Sequence, residues 1–144
     1  MATVADLLRT KGKKLFSISA KASVRDALVL MAEKDIGALP ITDGDQLVGI
    51  FSERDFARIL AKPAAFSLDT PLDQVMTRKV FTVSPSTNTE ECMRLMTEKH
   101  IRHLPVMDDK KMVGLVSVGD VVKAVINTQR HFIKQLEDYI GGSW

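Results

Sequence analysis

The chain has 144 residues, 45% of them hydrophobic, enough for one domain or two very small ones around a real core. Twenty basic against eighteen acidic side chains leave +2, a near-neutral balance that does not demand a nucleic-acid partner. A lone Cys92 excludes an intrachain disulfide and any CxxC redox or zinc motif; no apolar run approaches bilayer length and MATVADLLRTKGKK lacks a secretory core, so a soluble cytoplasmic protein is expected.

In chain order, TVADLLRT (3–10) reads as a short lead-in helix, and LFSIS (15–19) has the alternation and β-branching of a strand. Ser23 and Asp26 form a capping-box pattern that opens a helix with Val24, Leu28, Met31 and Ala32 on one face. ALPIT is a strand, Asp43-Gly44 marks a turn into QLVGIFS, and a helix carrying Phe56, Ile59 and Leu60 starts at Ser52. The loop-like AKPAAFSLD then leads to TPLDQVMT, which echoes TVADLLRT and supplies a second lead-in helix. VFTVS is the next strand, and Asn88 with Glu91 reads as a capping box for a helix bearing Met93 and Met96, with Ile101 beyond it. HLPVM, a turn at Asp108-Asp109, KMVGLVS and a helix from Ser117 with Val121, Val122 and Val125 follow. The tail NTQRHFIKQLEDYIGGSW is expected to add an amphipathic helix with Phe132, Leu136, Tyr139 and Ile140 near one stripe, packed on its own domain or on a partner chain.

The second half repeats the first. Setting Lys14 against Lys79 gives an offset of 65 residues that holds without a gap through Leu60 and Val125. Leu30-Met31 meets Leu95-Met96, Leu39-Pro40 meets Leu104-Pro105, and GIFSERD (49–55) meets GLVSVGD (114–120). One copy of roughly sixty residues would be marginal alone, so the copies are expected to bury what neither buries by itself. The expected fold is α/β (α+β): two β-α-β-β-α repeats about a pseudo-twofold axis, with lead-in helices and a C-terminal helix. Boundaries are drawn at 3–60, a linker at 61–69, 70–126, and a tail at 127–144.

The repeated Gly-x-x-Ser-x-x-Asp phrase has two compatible meanings. Ser at an N-cap with Asp three residues on is a sound helix start. The N–H groups of that start also favour a phosphate, and the Asp can accept hydrogen bonds from the vicinal hydroxyls of a ribose. Gly49 and Gly114, late in their strands, would let another group approach closely.

SVRDALVLMAEKDIGALPITDGDQLVGIFSERD and NTEECMRLMTEKHIRHLPVMDDKKMVGLVSVGD together resemble a tandem pair of cystathionine-β-synthase (CBS) domains, the Bateman module, over about residues 3 to 126. The resemblance implies a non-enzymatic regulatory module, of the stand-alone kind, that binds adenine nucleotides, pairs into a homodimer and signals to an effector protein. It makes Asp55 and Asp120 ribose binders assisted by Ser52 and Ser117, with each site completed by the opposite repeat. The first site would join Ser52, Arg54 and Asp55 to Arg102, His103, Leu104 and Pro105; the second would join Ser117 and Asp120 to Gly37, Ala38, Leu39 and Pro40. Ser17 and Thr82 are expected to line the adenine pockets. Gly119 stands where the first copy has Arg54, so the first site is the better match for an anionic tail. AMP, ADP, ATP, NAD(H) and S-adenosylmethionine are the candidate ligands, and Arg54 with Arg102 favours phosphate over the sulfonium.

The remaining motifs point elsewhere less strongly. His100 and His103 lack a visible third partner, so no metal site is expected. Met31, Met93 and Met96 are core filler, and Cys92, opposite Ala27, is a small buried side chain. No paired nucleophile and base, metal cluster or P-loop is present, so no enzyme and no catalytic cofactor are expected. RTKGKK is a basic run without interleaved aromatics, which disfavours a nucleic-acid partner. The alternative to a nucleotide sensor is a structural or protein-interaction dimer with vestigial clefts.

Overall fold

In the computed structural model, residues 2–12, 14–62 and 67–142 are described. Residues 63–66 of the expected linker and 143–144 of the tail lie outside them. The elements are α1 (Val4–Lys11), β1 (Ile18–Ser19), α2 (Val24–Lys34), β2 (Ala38–Asp43), β3 (Gln46–Ser52), α3 (Glu53–Ala61), a 3₁₀ turn (Leu72–Gln74), α4 (Thr89–Lys99), β4 (His103–Asp108), β5 (Lys111–Ser117) and α5 (Val118–Gly142).

The duplication is visible in the pairing register. β2 and β3 are antiparallel with Ala38 opposite Ser52, and β4 and β5 match them with His103 opposite Ser117. Equivalent register shifts follow Ile41 and Val106. β1 pairs parallel to β2, with Ile18 opposite Ile41, whereas its counterpart VFTVS is reduced to one bridge between Val83 and Val106. Ala20 donates its N–H to the Thr42 carbonyl at 2.9 Å, and Pro85, at the same place in the second copy, has no N–H to give. A single residue type therefore shortens the second sheet.

Helix starts follow the capping reading in α2, where Ser23 and Asp26 exchange hydrogen bonds of 3.1 Å. In α4 only half of the box forms: Asn88 accepts from the Glu91 amide at 2.9 Å, while the Glu91 carboxylate turns to Arg94.

Each repeat has its own aliphatic core. One gathers Val24, Ala27, Met31, Leu39, Ile41 and Phe51; the other gathers Cys92, Met96, Leu104, Val106, Val116 and Val121. Burial pushes the Cys92 thiol up. The lead-in segments cross over. Val4 and Leu7 of α1, which precedes the first repeat, sit in the second repeat's core, and Leu72 and Met76, which precede the second, sit in the first's. Thr3 bridges Asn88, and Ser23 bridges Pro71. The two lead-ins are thus exchanged in packing, the second is a 3₁₀ turn at Leu72–Gln74 rather than the expected helix, and α1 ties the N-terminal segment to the far half of the chain.

The same packing shows what approaches the two glycines. A Cβ on Gly49 would lie 2.5 Å from Met76 Sδ and 2.9 Å from the Thr77 carbonyl oxygen; on Gly114 it would lie 2.5 Å from Leu8 Cδ2. The groups that approach so closely are the lead-in segments.

The tail forms no separate helix: α5 runs unbroken from Val118 to Gly142. Its first turn buries Val121 on the second repeat, and every residue from 126 to 141 is exposed. The tail therefore does not pack on its own domain. Among the described residues no helix is long and apolar enough to cross a membrane.

Candidate functional site

The turn from β3 into α3 places Ser52 at the N-cap and Asp55 at the third helical position. Asp55 Oδ2 accepts from the Ser52 amide at 2.9 Å and from its hydroxyl at 3.0 Å, and the Asp55 amide donates back to Ser52 Oγ at 3.2 Å. Thr77, at the end of the second lead-in segment, donates its hydroxyl to Asp55 Oδ1 at 2.9 Å. Asp55 is only 9% exposed, a charge that stays buried because both of its oxygens are hydrogen-bonded.

This carboxylate lies in a cleft of about 490 Å³, within the 300–1,000 Å³ common for small-molecule pockets. One wall is Ser52, Glu53, Arg54, Asp55 and Arg58 with Thr77; the other is the run Lys99–His103 from the opposite repeat. Arg54 spans the gap, donating from Nη1 to the His100 carbonyl at 2.6 Å. The cleft thus combines a half-covered helix start, a buried carboxylate and the cations of Arg54, Arg58, Lys99 and Arg102. That set can take an anion and a pair of hydroxyl donors together.

The residues expected for the first site do not all reach this cleft. Ser52, Arg54, Asp55, Arg102 and His103 line it, whereas Leu104 and Pro105 are buried in β4 behind it. Thr77, Arg58 and Lys99 were missed. Thr77 was legible in the echo between TPLDQVMT and TVADLLRT, and Arg58 in its position one helical turn beyond Arg54.

The second set is arranged differently. Gly37 opens into the first cleft, where the His103 ring lies 3.7 Å from the position of its missing Cβ; Ala38, Leu39 and Pro40 are buried in β2. Asp120 keeps the capping geometry, accepting from the Ser117 amide at 2.8 Å, with its own amide donating to Ser117 Oγ at 3.1 Å. It also accepts from Lys11 Nζ at 2.8 Å, and Lys11 reaches the Leu115 carbonyl at 2.9 Å. Burial works against ionisation of Asp120, but the Lys11 ammonium and the Ser117 amide outweigh it and hold the carboxyl below its usual range. Ser17 lies in another hollow with Leu15, Thr42, Gly44, Asp45 and 108–112, and Thr82 is exposed and lines neither.

His103 sits between the two helix starts. Burial, then the charge of Lys11, lowers its pKa, against the pull of Asp120. A histidine lowered in the folded state contributes stability that is complete above about pH 6.5 and is lost as the pH falls from there through the folded value. His103→Gln is therefore expected to flatten the decline in urea midpoint between about pH 7 and pH 5; an unchanged decline would reject that origin. Among the described residues no three His, Cys, Asp or Glu side chains are grouped to hold a metal.

Fold and site together define a duplicated α+β pair with a cationic, carboxylate-bearing cleft between its halves. The chain belongs to the CBS domain family, whose sequence model matches residues 3–62 and 72–127. It is 37% identical to the mitochondrial CBS domain-containing protein CBSX3 of Arabidopsis thaliana, over 99% of this chain and 73% of that protein. A protein with CBS domains from Burkholderia ambifaria superposes with a TM-score of 0.81 at 47% identity, covering 89% of this chain and 96% of that one. Two similar structures carry ligands. CBSX2 in complex with AMP matches with a TM-score of 0.74 at 29% identity over 88% of this chain and 98% of that one. The CBS domain pair of MJ0100, with 5′-methylthioadenosine and S-adenosyl-L-methionine, matches with a TM-score of 0.78 at 26% identity over 89% and 98%.

Proposed function

We propose that this chain is a non-enzymatic regulatory module that binds an adenine nucleotide in the cleft between Asp55 and the 99–103 run. The observation that carries the reading is the cleft's composition: a buried carboxylate at a helix start, faced across the repeats by Lys99 and Arg102. The arginines and Lys99 take the phosphate, and Asp55 takes the ribose hydroxyls. Three of its roughly four acceptor positions are filled by the Ser52 amide, the Ser52 hydroxyl and the Thr77 hydroxyl. Either hydroxyl can rotate away when a diol arrives. The AMP on CBSX2 and the adenosine derivatives on the MJ0100 pair support the ligand class. The cations favour AMP, ADP, ATP or NAD(H) over a sulfonium.

A ligand that touches both walls favours whichever arrangement of the repeats it fits better, and a homodimer carries that preference to an effector. The dimer contact is the projecting part of α5. Val122, Ile126, Gln129, Ile133, Leu136 and Ile140 recur at spacings of four and three, a coiled-coil seam with one polar position, and its apolar members are exposed.

Calorimetry of nucleotide-stripped protein with AMP, ADP, ATP, NAD and S-adenosylmethionine, beside sedimentation of wild type and Leu136→Asp, tests both parts. Saturable binding of a phosphate-bearing adenylate and a dimer broken by Leu136→Asp are expected. A stable dimer that binds none of them would favour the structural reading with vestigial clefts.

A further inference from the structure

Four cations line the cleft: Arg54, Arg58, Lys99 and Arg102. A phosphate monoester carries about two negative charges at most, too few for all of them. Arg54 reaches across the gap to the His100 carbonyl, and a further cation stands beside each end of that contact. Arg58 lies one turn beyond Arg54 on α3, with their Cβ atoms about 5–6 Å apart, and Lys99 immediately precedes His100 at the end of α4. Both are exposed, and among the described residues neither is in an ion pair. Lys99 is held instead over the Phe81 ring, 5.2 Å from its centroid, which leaves its N–H donors unspent. From this pair on opposite walls, and on the proposed reading that the cleft binds an adenylate, we infer that Arg58 and Lys99 form a second anion subsite. It selects adenosine ligands with two linked phosphoryl groups over AMP.

Like charges gathered in one cleft repel each other until an anion meets them. The carboxylates of the cleft do not serve. Asp55 is engaged by Ser52 and Thr77, and Glu53 turns to Gly37, its Oε1 lying 3.6 Å from the position of the missing Cβ. A phosphate between Arg54 and Arg102 accounts for two of the cations. A phosphoryl group linked to it extends toward the other two. AMP brings the first group alone, whereas the diphosphate of ADP and the pyrophosphate of NAD bring both. The ring contact itself belongs to the duplicated frame, because Lys34 lies over Phe16 at the same 5.2 Å. Of these two lysines, Lys99 is the one that lines the cleft.

The test is calorimetry of the nucleotide-stripped, full-length chain with AMP, ADP and NAD. A chelator keeps divalent ions off the phosphates, and about 0.15 M salt screens distant charges. The tighter of ADP and NAD is expected to bind at least about tenfold more strongly than AMP, the scale of one charge-assisted hydrogen bond. Which of the two is tighter shows whether the subsite takes a free or a capped pyrophosphate. Arg58→Met combined with Lys99→Met is expected to bring that ligand within about threefold of AMP, while AMP itself changes by no more than about twofold. Lys99→Arg alone is expected to keep the preference. AMP binding as tightly as ADP and NAD in the wild type, or a preference that the double variant leaves intact, overturns the inference. So does an equal weakening of all three ligands, since general attraction rather than a subsite would then have been lost. Each of these leaves the adenylate reading of the cleft standing; no adenylate binding to the wild type removes that reading as well.

Discussion

Asp55→Asn is expected to weaken adenylate binding in the first cleft by about 10- to 100-fold while changing stability by no more than about 1 kcal/mol. An asparagine oxygen can still accept from the Ser52 amide, and asparagine is as good a cap as aspartate. Its amide nitrogen can donate to the Thr77 hydroxyl, which reverses its role. What it cannot do is accept two hydrogen bonds from a diol with a full negative charge, and hydrogen bonds to a charged group contribute about 1.5–3 kcal/mol each. Titration calorimetry and urea denaturation on the same preparation separate the two effects. Equal loss of stability and binding would mean that Asp55 is a helix cap and nothing more.

Gly49→Ala is expected to destabilise the protein by about 3 kcal/mol, at the upper end of what overpacking costs. The added methyl meets Met76 Sδ at 2.5 Å and the Thr77 carbonyl oxygen at 2.9 Å. The sulfur can swing aside, but that carbonyl accepts the Ile50 amide at 2.9 Å and cannot move without breaking the bridge between β3 and the second lead-in. Thr77 also holds Asp55, so the substitution should weaken the adenylate response. Gly114→Ala is the comparison. There the clash is with the end of the Leu8 side chain alone, and a smaller loss, about 1 kcal/mol, is expected. Denaturant midpoints check the order; equal losses would show that the Thr77 backbone yields as easily as a leucine methyl.

The duplication, the helix starts and most of the element order were legible in the sequence. These rest on local chemistry: a side-chain cap needs only Ser23 and Asp26, or Ser52 and Asp55, three apart. Burial of Leu39, Ile41, Leu104 and Val106 followed from short apolar runs set at the same offset in both copies. That Asp55 would share a cleft with Arg102 followed from the family resemblance rather than from any spacing.

Which lead-in serves which repeat is settled by long-range packing. TVADLLRT and TPLDQVMT share only a loose echo, with Leu7 opposite Gln74 and Arg9 opposite Met76, and neither says locally which core it fits, so the choice between near and far packing is made by the whole assembly. That choice placed Thr77 on Asp55 and Lys11 on Asp120, and so gave two identical capping phrases different neighbours. It also gave Gly49 and Gly114 their function, since a glycine in a strand signals a close approach without saying what approaches. The continuous α5 was hidden for a similar reason. Helix periodicity runs without a break from Val118 through the tail, and whether it covers the domain or leaves it depends on where the second core ends, at Val125. Local pattern sets each element, and long-range packing assigns its partners; the two sites differ because they were assigned different ones.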